Sequence, residues 1–340
     1  FVEYNIQDVE LVDRLEDKMK LIELCLTMAY DYKVNYTDVY SQVRCWDTII
    51  YNHLLTKNIQ VPPREDQIKD TQYEGAYVKD PQLGLHNWIV SFDLNSLYPH
   101  LIMQYNISPE MFLGVEPKAV GVENFLDERL NLKWAKDRNV TIAPNGAMFK
   151  RDKQGFLPEL MEKMYTERVV YKKKAIEAKK EYQKTKDPIY SNEISRCHNI
   201  QMAKKISLNS AYGAIGNQYF RYFDVKQAEA ITLGGQLSIR WVERDVNKFM
   251  NKLLGTENKN YVVASDTDSI YLKLDTLVEK VCKDKTTKQI TDFIDKAAEE
   301  KIQKIIDDSY QNLANYVNAY QQKMIMKREA IANKGIWVAK

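Results

Sequence analysis

Two aspartates one residue apart stand between two strand-like runs in the last third of the sequence. Asp266 and Asp268 lie within residues 261–272, whose flanks are rich in β-branched and aromatic residues. For an isolated D-x-D pattern, turn initiation is the commoner role. Here strand alternation would point both carboxylates to one side with no Lys or Arg between them, which is unfavourable unless a cation neutralises them. The pattern therefore predicts acids at the tip of a hairpin that bind a metal ion.

A third acid, Asp93, ends another short apolar strand pattern at residues 88–94. If this strand lies beside the hairpin, three carboxylates would converge at one sheet edge. Mg²⁺ suits such a site, because it takes one or two protein carboxylates together with waters and substrate phosphates. Two such ions about 4 Å apart can assist an in-line phosphoryl transfer. An EF-hand is excluded because the loop lacks the required Gly and the distal Glu.

A second candidate site lies on one predicted helix. Lys205, Asn209, Tyr212 and Gly213 share a face because steps of four and three residues bring helical side chains back to the same side. A cation, an amide, a ring and bare backbone would suit a ligand with a phosphate and an aromatic base. A solvated Lys beside a half-buried Tyr is an equally reasonable interpretation of this helix alone.

The preceding helix adds Arg168 and Lys172, and residues 163–186 contain nine Lys or Arg against three Glu. A charge run is usually a solvated face. Two adjacent basic helices in a protein of formal net charge +2 favour instead a local positive surface for a triphosphate or a nucleic-acid backbone.

The composition sets further bounds. A length of 340 residues predicts two or three domains, and the 44% hydrophobic and 11% aromatic content excludes low-complexity disorder. No apolar run reaches the roughly 18 residues of a membrane helix. The four cysteines lack CxxC spacing, which favours reduced thiols over a zinc site or a disulfide framework.

Periodicity predicts the elements that must position these residues. The first 60 residues are predicted to be helical, with one apolar face formed by Val9, Val12, Leu15, Met19, Ile22 and Leu26. A linker follows at residues 62–72. The remaining predictions are strand-like runs at 73–78, 88–94 and 335–340, a helical hairpin at 157–186 and 191–214, a helix at 227–253, a β-hairpin at 260–274 and helical residues at 289–325.

Three motifs, in this order, resemble those of the B-family replicative DNA polymerases, closest to the T-even-like bacteriophage enzymes. Asp93-Leu-Asn-Ser-Leu-Tyr98-Pro is similar to motif A, Lys205-x3-Asn209-Ser-x-Tyr212-Gly213 to motif B, and Asp266-Thr-Asp268-Ser to motif C. Tyr73-Glu-Gly75-Ala resembles the element between the family's exonuclease and polymerase domains, and Tyr4-x3-Asp8 resembles its last exonuclease motif.

The resemblance implies a role for each matched residue. Asp93, Asp268 and Asp266 would be catalytic, and the metal ligands would be Asp93, Asp268 and the Leu94 backbone carbonyl. Nucleotide binding is expected of Arg168, Lys172, Lys205, Asn209, Tyr212, Ser96, Leu97 and Tyr98, with Tyr98 as a steric gate against ribose. DNA contacts are expected at Tyr73, Gly75 and Gly213. Glu329 resembles a peripheral carboxylate of the palm.

The implied fold class is α+β: an antiparallel palm sheet with helices on one face, a helical-hairpin fingers subdomain and an N-terminal helical segment. Residues 1–65 would end the exonuclease domain, 66–156 and 218–340 would form the palm, and 157–217 the fingers. The first exonuclease motifs and the thumb would lie outside the sequence, so we expect no proofreading by this chain alone and a weak grip on duplex DNA. The fingers hairpin is shorter than in the phage relatives, and Ser265 replaces their usual Gly.

The implied cofactor is Mg²⁺, as two ions, with Mn²⁺ as a substitute. The implied partners are primer-template DNA, a dNTP, replisome proteins such as a sliding clamp, and a second polymerase chain carrying the thumb. No membrane association is expected, and the host-cell cytoplasm is the expected location for a phage-encoded protein.

Three functions are compatible with these motifs. The leading one is template-directed DNA synthesis by a DNA-directed DNA polymerase. The second is another palm-type nucleotidyltransferase, either protein-primed or RNA-directed. The third is a nucleic-acid-binding palm and fingers subunit of a split polymerase, which would be active only with a thumb-bearing partner chain.

Overall fold

The computed structural model describes residues 1–65, 68–69 and 71–339. The helices are α1 (Val2–Met19), α2 (Leu21–Tyr32), α3 (Gln42–Thr56), α4 (Leu97–Tyr105), α5 (Val122–Leu126), α6 (Lys133–Asp137), α7 (Phe156–Thr185), α8 (Pro188–Ile215), α9 (Val225–Leu254), α10 (Asp275–Val281), α11 (Thr287–Ala297) and α12 (Gln303–Tyr316). The strands are β1 (Val78–Lys79), β2 (Gly84–Leu94), β3 (Phe112–Val115), β4 (Val140–Ile142), β5 (Ala147–Lys150), β6 (Val262–Asp266), β7 (Ser269–Lys273) and β8 (Met326–Trp337). None of these helices is long and apolar enough to cross a membrane.

The chain forms two compact units, and each contains two stretches of sequence. The first unit holds Phe1–Lys69 and Glu159–Phe223, and the second holds Asp70–Pro158 and Asp224–Lys340. The N-terminal helices and the helical hairpin belong to one unit. Helices and antiparallel sheets occur together, which confirms the predicted α+β class.

The first unit is helical, and α8 is its central element. Asp187 begins this helix, since its carboxylate accepts the Ile189 N–H at 2.9 Å and Pro188 fits the first turn. The hydroxyl of Tyr32 on α2 donates to the Ala203 carbonyl at 2.8 Å. The Trp46 indole N–H on α3 donates to Ser210 Oγ at 3.1 Å. Helices α2 and α3 are thus anchored to one face of α8.

The predicted apolar face of the N-terminal helices is helical but not buried. Its six residues are each more than half exposed, and α1 buries none of its side chains. The residues are Val9, Val12, Leu15, Met19, Ile22 and Leu26. Periodicity therefore predicted the helical structure correctly, but it does not show whether an apolar helix face is buried.

The second unit is built on a five-stranded antiparallel sheet of order β1-β6-β7-β2-β8. Its apolar residues are almost fully buried along β2, from Ile89 to Leu94. Helix α9 packs on β6 and β7, and α12 packs on α9 and β8. A smaller antiparallel sheet of order β3-β5-β4 completes the unit.

Three sequence predictions need correction here. Residues 73–77 form no strand, and only Val78–Lys79 pairs with the sheet. The predicted helix to residue 325 ends at Tyr316. Strand β8 spans Met326–Trp337, where the sequence predicted a strand only from residue 335. Helical periodicity was read too far because residues 317–325 connect the helix to the strand. Of the predicted linker at 62–72, residues 66, 67 and 70 lie outside the described residues.

Candidate active site

Strand register places Asp93 beside the hairpin that carries the other two acids. In β2, Asp93 pairs with Ser269 of β7 on one side and with Lys327 of β8 on the other. The next residue, Leu94, donates its N–H to the Asp268 carbonyl at 2.8 Å. The predicted neighbourhood of Asp93 and Asp268 is therefore built by backbone hydrogen bonds between strands that are distant in sequence.

The predicted β-hairpin is confirmed, and its turn is unusually tight. Strand β6 ends at Asp266 and β7 begins at Ser269, which leaves two connecting residues. The Asp268 N–H donates to the Asp266 carbonyl at 2.6 Å, and Thr267 between them has φ 55°. A three-residue turn with positive φ is rare, and at a β-branched residue it costs about 1–3 kcal/mol. The surrounding structure must supply that energy.

Burial and like charge raise the pKa of both central carboxylates. Burial raises the pKa of Asp93 to about 6, and the charges of Asp268 and Glu329 contribute. Burial also raises the pKa of Asp268, assisted by the charges of Asp266 and Glu329 and opposed by a backbone hydrogen bond. The charge of Glu329 thus contributes to the raised pKa of both Asp93 and Asp268. Asp266 is exposed.

A β-bulge explains the position of Glu329. Ser91 pairs with Ala330 and Phe92 with Arg328, so Glu329 is an extra residue without a partner across the ladder. The Ala330 N–H donates to Ser91 Oγ at 3.1 Å, which satisfies the amide at the bulge. The sequence indicated Glu329 only through the family resemblance, because a bulge leaves no clear periodic signal.

The carboxylates of this site suit a divalent cation whose remaining ligands come from waters and substrate phosphates. Within residues 1–65, 68–69 and 71–339, no three Asp, Glu, His or Cys side chains already form a group that could hold a metal ion. Mg²⁺ needs only one or two protein carboxylates when phosphates and waters supply the rest. Burial and like-charge repulsion together raise the pKa of Asp93 and Asp268, and a bound cation would offset both effects.

The residues after Asp93 lead into α4. Ser96 precedes that helix with φ 49°, Leu97 is buried and Tyr98 is half-buried. A Cβ added to Gly235 of α9 would lie 3.4 Å from Leu97 Cδ2 and 3.5 Å from Tyr98 Cε1. These are ordinary van der Waals distances, so α9 packs directly against the predicted sugar gate, a contact that the Gly234-Gly235 pair inside a helical pattern could have signalled.

The predicted DNA-contact segment lies at the edge of the second unit. Gly75 is exposed and has open space where a Cβ would be, and Tyr73 is partly exposed. The Gly75 carbonyl accepts a hydrogen bond from Gln236 Nε2 at 2.8 Å. An exposed backbone with room around it is compatible with the approach of a polymer backbone.

The predicted cationic face is exposed on α8 in the first unit. Lys205, Asn209 and Gly213 are exposed and Tyr212 is half-buried. Gly213 has nothing within 4 Å of a built Cβ. The spacing argument therefore identified the accessible side of the helix. On α7, Lys172 is exposed and Arg168 is half-buried.

Sequence reasoning missed Lys204, the immediate neighbour of Lys205. Its ammonium bridges Asp31 of α2 at 2.9 Å and Glu167 of α7 at 2.7 Å, and the residue is only 8% exposed. The two carboxylates raise the pKa of Lys204 although burial alone would lower it. The adjacent lysines are about 100° apart around α8, so one is buried and the other exposed, and helical spacing from the buried Ala203 and Ser207 could have distinguished them.

A model of DNA polymerase family B matches residues 34–331, which is most of the chain. The chain therefore belongs to DNA polymerase family B. The DNA-directed DNA polymerase of Escherichia phage RB69 is 32% identical over the whole chain, as is that of Enterobacteria phage T4. The DNA polymerase delta catalytic subunit of Candida albicans is 26% identical over 79% of the chain. The chain spans 43% of the length of each phage relative and 24% of the yeast one.

Proposed function

We propose that this chain carries the nucleotidyl-transfer site of a template-directed DNA polymerase. A primer 3′-hydroxyl would attack the α-phosphate of a dNTP, and pyrophosphate would leave. The observation that carries the proposal is the pairing of Asp93 with the hairpin of Asp268, both with raised pKa, in a member of DNA polymerase family B. The phage relatives are named DNA-directed DNA polymerases.

In this proposal Asp93, Asp268 and the Leu94 carbonyl hold two Mg²⁺ ions, or Mn²⁺ in their place. Bound divalent ions would supply Lewis-acid stabilisation of the charge on the transferring phosphoryl group. Because the pKa of Asp93 is about 6, its carboxylate is ionised at neutral pH and available as a ligand. Asp266 and Glu329 would add negative potential around this pair without being required as direct ligands.

The cationic face would bind the triphosphate. Lys205 and Arg168 are proposed to contact the phosphates, with Lys172 and Asn209 in support. Exposure of Lys205 and Asn209 on one side of α8 supports this role. Tyr212 would lie beside the nascent base pair, where a ring can stack on a base.

The remaining residues would recognise the sugar and the DNA. Tyr98, held with Ser96 and Leu97 at the start of α4, would act as a steric gate against ribose. A rigid wall is required there, because a pocket that merely fails to bind an added hydroxyl discriminates by only about 10². Tyr73, Gly75 and Gly213 would contact primer-template DNA.

The domain assignment and the partners belong to the same proposal. Residues 66–156 and 218–340 would be the palm, 157–217 the fingers and 1–65 the end of an exonuclease domain. Primer-template DNA and dNTPs would be the substrates, and a sliding clamp a replisome partner. The expected location is the cytoplasm of the host cell.

Primer extension with Mg²⁺, on the protein at its full natural length, tests the proposal. Asp93→Ala and Asp268→Ala are expected to lower kcat/KM far more than tenfold. Tenfold corresponds to about 1.4 kcal/mol of transition-state stabilisation. Asp308→Ala, which removes an exposed acid from the same unit, is the matched control and should leave extension unchanged. Extension by either site variant within tenfold of the parent would refute the assignment.

A second candidate is the palm and fingers subunit of a split polymerase, which would be active only with a thumb-bearing partner chain. Mixing the two chains should then restore extension that neither supports alone. Equal activity with and without the second chain would exclude this candidate.

A further inference from the structure

We propose that Gln236, Arg240 and Glu243 of α9 are positioning residues for the turn that carries Asp266 and Asp268. They would act through residues 75–79, which connect α9 to that turn. The inference rests on the proposed function, because it assigns these residues a purpose in placing the acids. It concerns side chains that no sequence motif singled out.

The three residues lie on one face of α9, since they follow at steps of four and three. Two of them hold the first part of residues 75–79. Gln236 Nε2 donates to the Gly75 carbonyl at 2.8 Å. The guanidinium of Arg240 lies over the Tyr77 ring, 5.2 Å from its centroid, in a cation–π contact. Arg240 is itself fixed by an ion pair of 2.6 Å with Glu123.

The third residue holds the strand that follows. Glu243 forms an ion pair with the Lys79 ammonium, and the two side chains are only 14% and 12% exposed. The same ammonium donates to the Val262 carbonyl of β6 at 2.7 Å. Lys79 therefore connects α9 directly to the strand that ends at Asp266.

Residues 75–79 in turn fix the acid-bearing turn. The Thr267 N–H donates to the Tyr77 carbonyl at 2.9 Å, and Val78 pairs with Asp266. Thr267 has φ 55°, which a β-branched residue adopts only when its surroundings impose it. The Tyr77 carbonyl is the hydrogen-bond acceptor that imposes this conformation from outside the hairpin.

Strand β1 cannot hold this arrangement by itself. It contains two residues and lies at the edge of the sheet, and so short a strand gains little from its own ladder. The side chains of α9 supply the missing support through a neutral hydrogen bond, a cation–π contact and a buried ion pair. Loss of that support would release the turn and let the Asp268 carboxylate move.

Four variants and one control, all of the protein at its full natural length, test the inference. Glu243→Gln and Lys79→Met each leave a buried charge unpaired, which destabilises the fold. The double variant removes both charges, so a loss of function in it does not result from an unpaired buried charge. Gln236→Ala removes only a neutral hydrogen bond. Lys226→Met is the matched control, because it breaks a more exposed ion pair with Glu229 on the same helix.

The first readout is amide hydrogen exchange in a peptide that covers residues 262–273. We expect faster exchange there in the double variant and in Gln236→Ala, with unchanged exchange in the control. The second readout is Mn²⁺ affinity, measured by magnetic resonance without substrate, which should fall in the same two variants. The third is primer extension, where kcat should fall about tenfold or more with the KM for dNTP within twofold, since small misplacements of reacting groups have large effects on rate.

Parent-like exchange, Mn²⁺ affinity and kcat in a folded double variant and in Gln236→Ala would overturn the inference. A lower melting temperature with all three readouts unchanged would also overturn it, because that result describes a purely structural role. Failure of the proposed function has a different signature. The parent would then bind Mn²⁺ in a manner abolished by Asp93→Asn and still not extend a primer.

Discussion

The two candidate regions of this protein are built by opposite means. Asp93 and Asp268 are placed by strand register between residues far apart in the chain, and by a turn with an unfavourable backbone angle. Lys205 and Asn209 are placed by a regular helix, one turn apart, with exposed side chains. The acids are confined by backbone hydrogen bonds, whereas the Lys205 and Asn209 side chains are exposed. This difference suits a site for chemistry and a site for capture, respectively.

The largest expected effect separates chemistry from capture. Asp268→Asn should lower kcat by about 10³-fold or more, about 4 kcal/mol, because it removes an interaction made in the transition state. Lys205→Ala should instead raise the KM for dNTP by about 10- to 100-fold with a smaller change in kcat. Steady-state primer extension at varied dNTP measures both. If both variants changed kcat and the KM for dNTP by similar factors, this distinction between the two regions would be refuted.

The neighbouring lysines of α8 sharpen the comparison within the first unit. Lys204→Met leaves Asp31 and Glu167, both about one-third exposed, without their shared cation, so the free energy of unfolding should fall by about 1–3 kcal/mol. Lys205→Met removes an exposed charge and should change it by about 0.5 kcal/mol or less. Urea unfolding of the two variants measures the difference. If the two variants had similar free energies of unfolding, the ion pairs of Lys204 with Asp31 and Glu167 would contribute nothing measurable to stability.

Sequence reasoning predicted the parts of this protein that depend on local pattern. The helical hairpin, the β-hairpin and the exposed face of α8 follow from periodicity, and those predictions are confirmed. The bulge at Glu329 and the support of Thr267 by Tyr77 depend on partners more than 100 residues away. Such contacts leave no periodic signal in a single sequence. The roles of the site residues remain predictions.

A smaller effect tests the electrostatic cost of the acid cluster. The folded-state pKa of Asp93 is about 6, above its ordinary 3.8, so the folded protein binds this proton more tightly than the unfolded chain does. The charged carboxylate therefore destabilises the metal-free protein above pH 6, and this cost disappears as the pH falls from about 6 to about 4. Asp93→Asn should stabilise the metal-free protein by about 1 kcal/mol at pH 7–8, after allowance for solvent screening.

Thermal unfolding in the presence of a chelator, at pH 4, 5, 6 and 7.5, measures that difference. The gain should be largest at the highest pH and close to zero at the lowest. Saturating Mn²⁺ should reverse the ranking, because only the parent retains both carboxylates as ligands. If the stability gained by Asp93→Asn did not depend on pH, the destabilisation by Asp93 would be steric and not electrostatic.

The smallest expected effect concerns the residue beside the acids on β6. Ser265 is 2% exposed, and its hydroxyl has no hydrogen-bond partner among the described residues. A buried unpaired hydroxyl is unfavourable, so Ser265→Ala should raise the free energy of unfolding by about 1 kcal/mol or less. Because the backbone register with Lys79 does not involve that hydroxyl, kcat should stay within twofold of the parent. Denaturant unfolding and primer extension measure the two quantities, and a loss of activity would instead assign the hydroxyl a part in holding the acid-bearing turn.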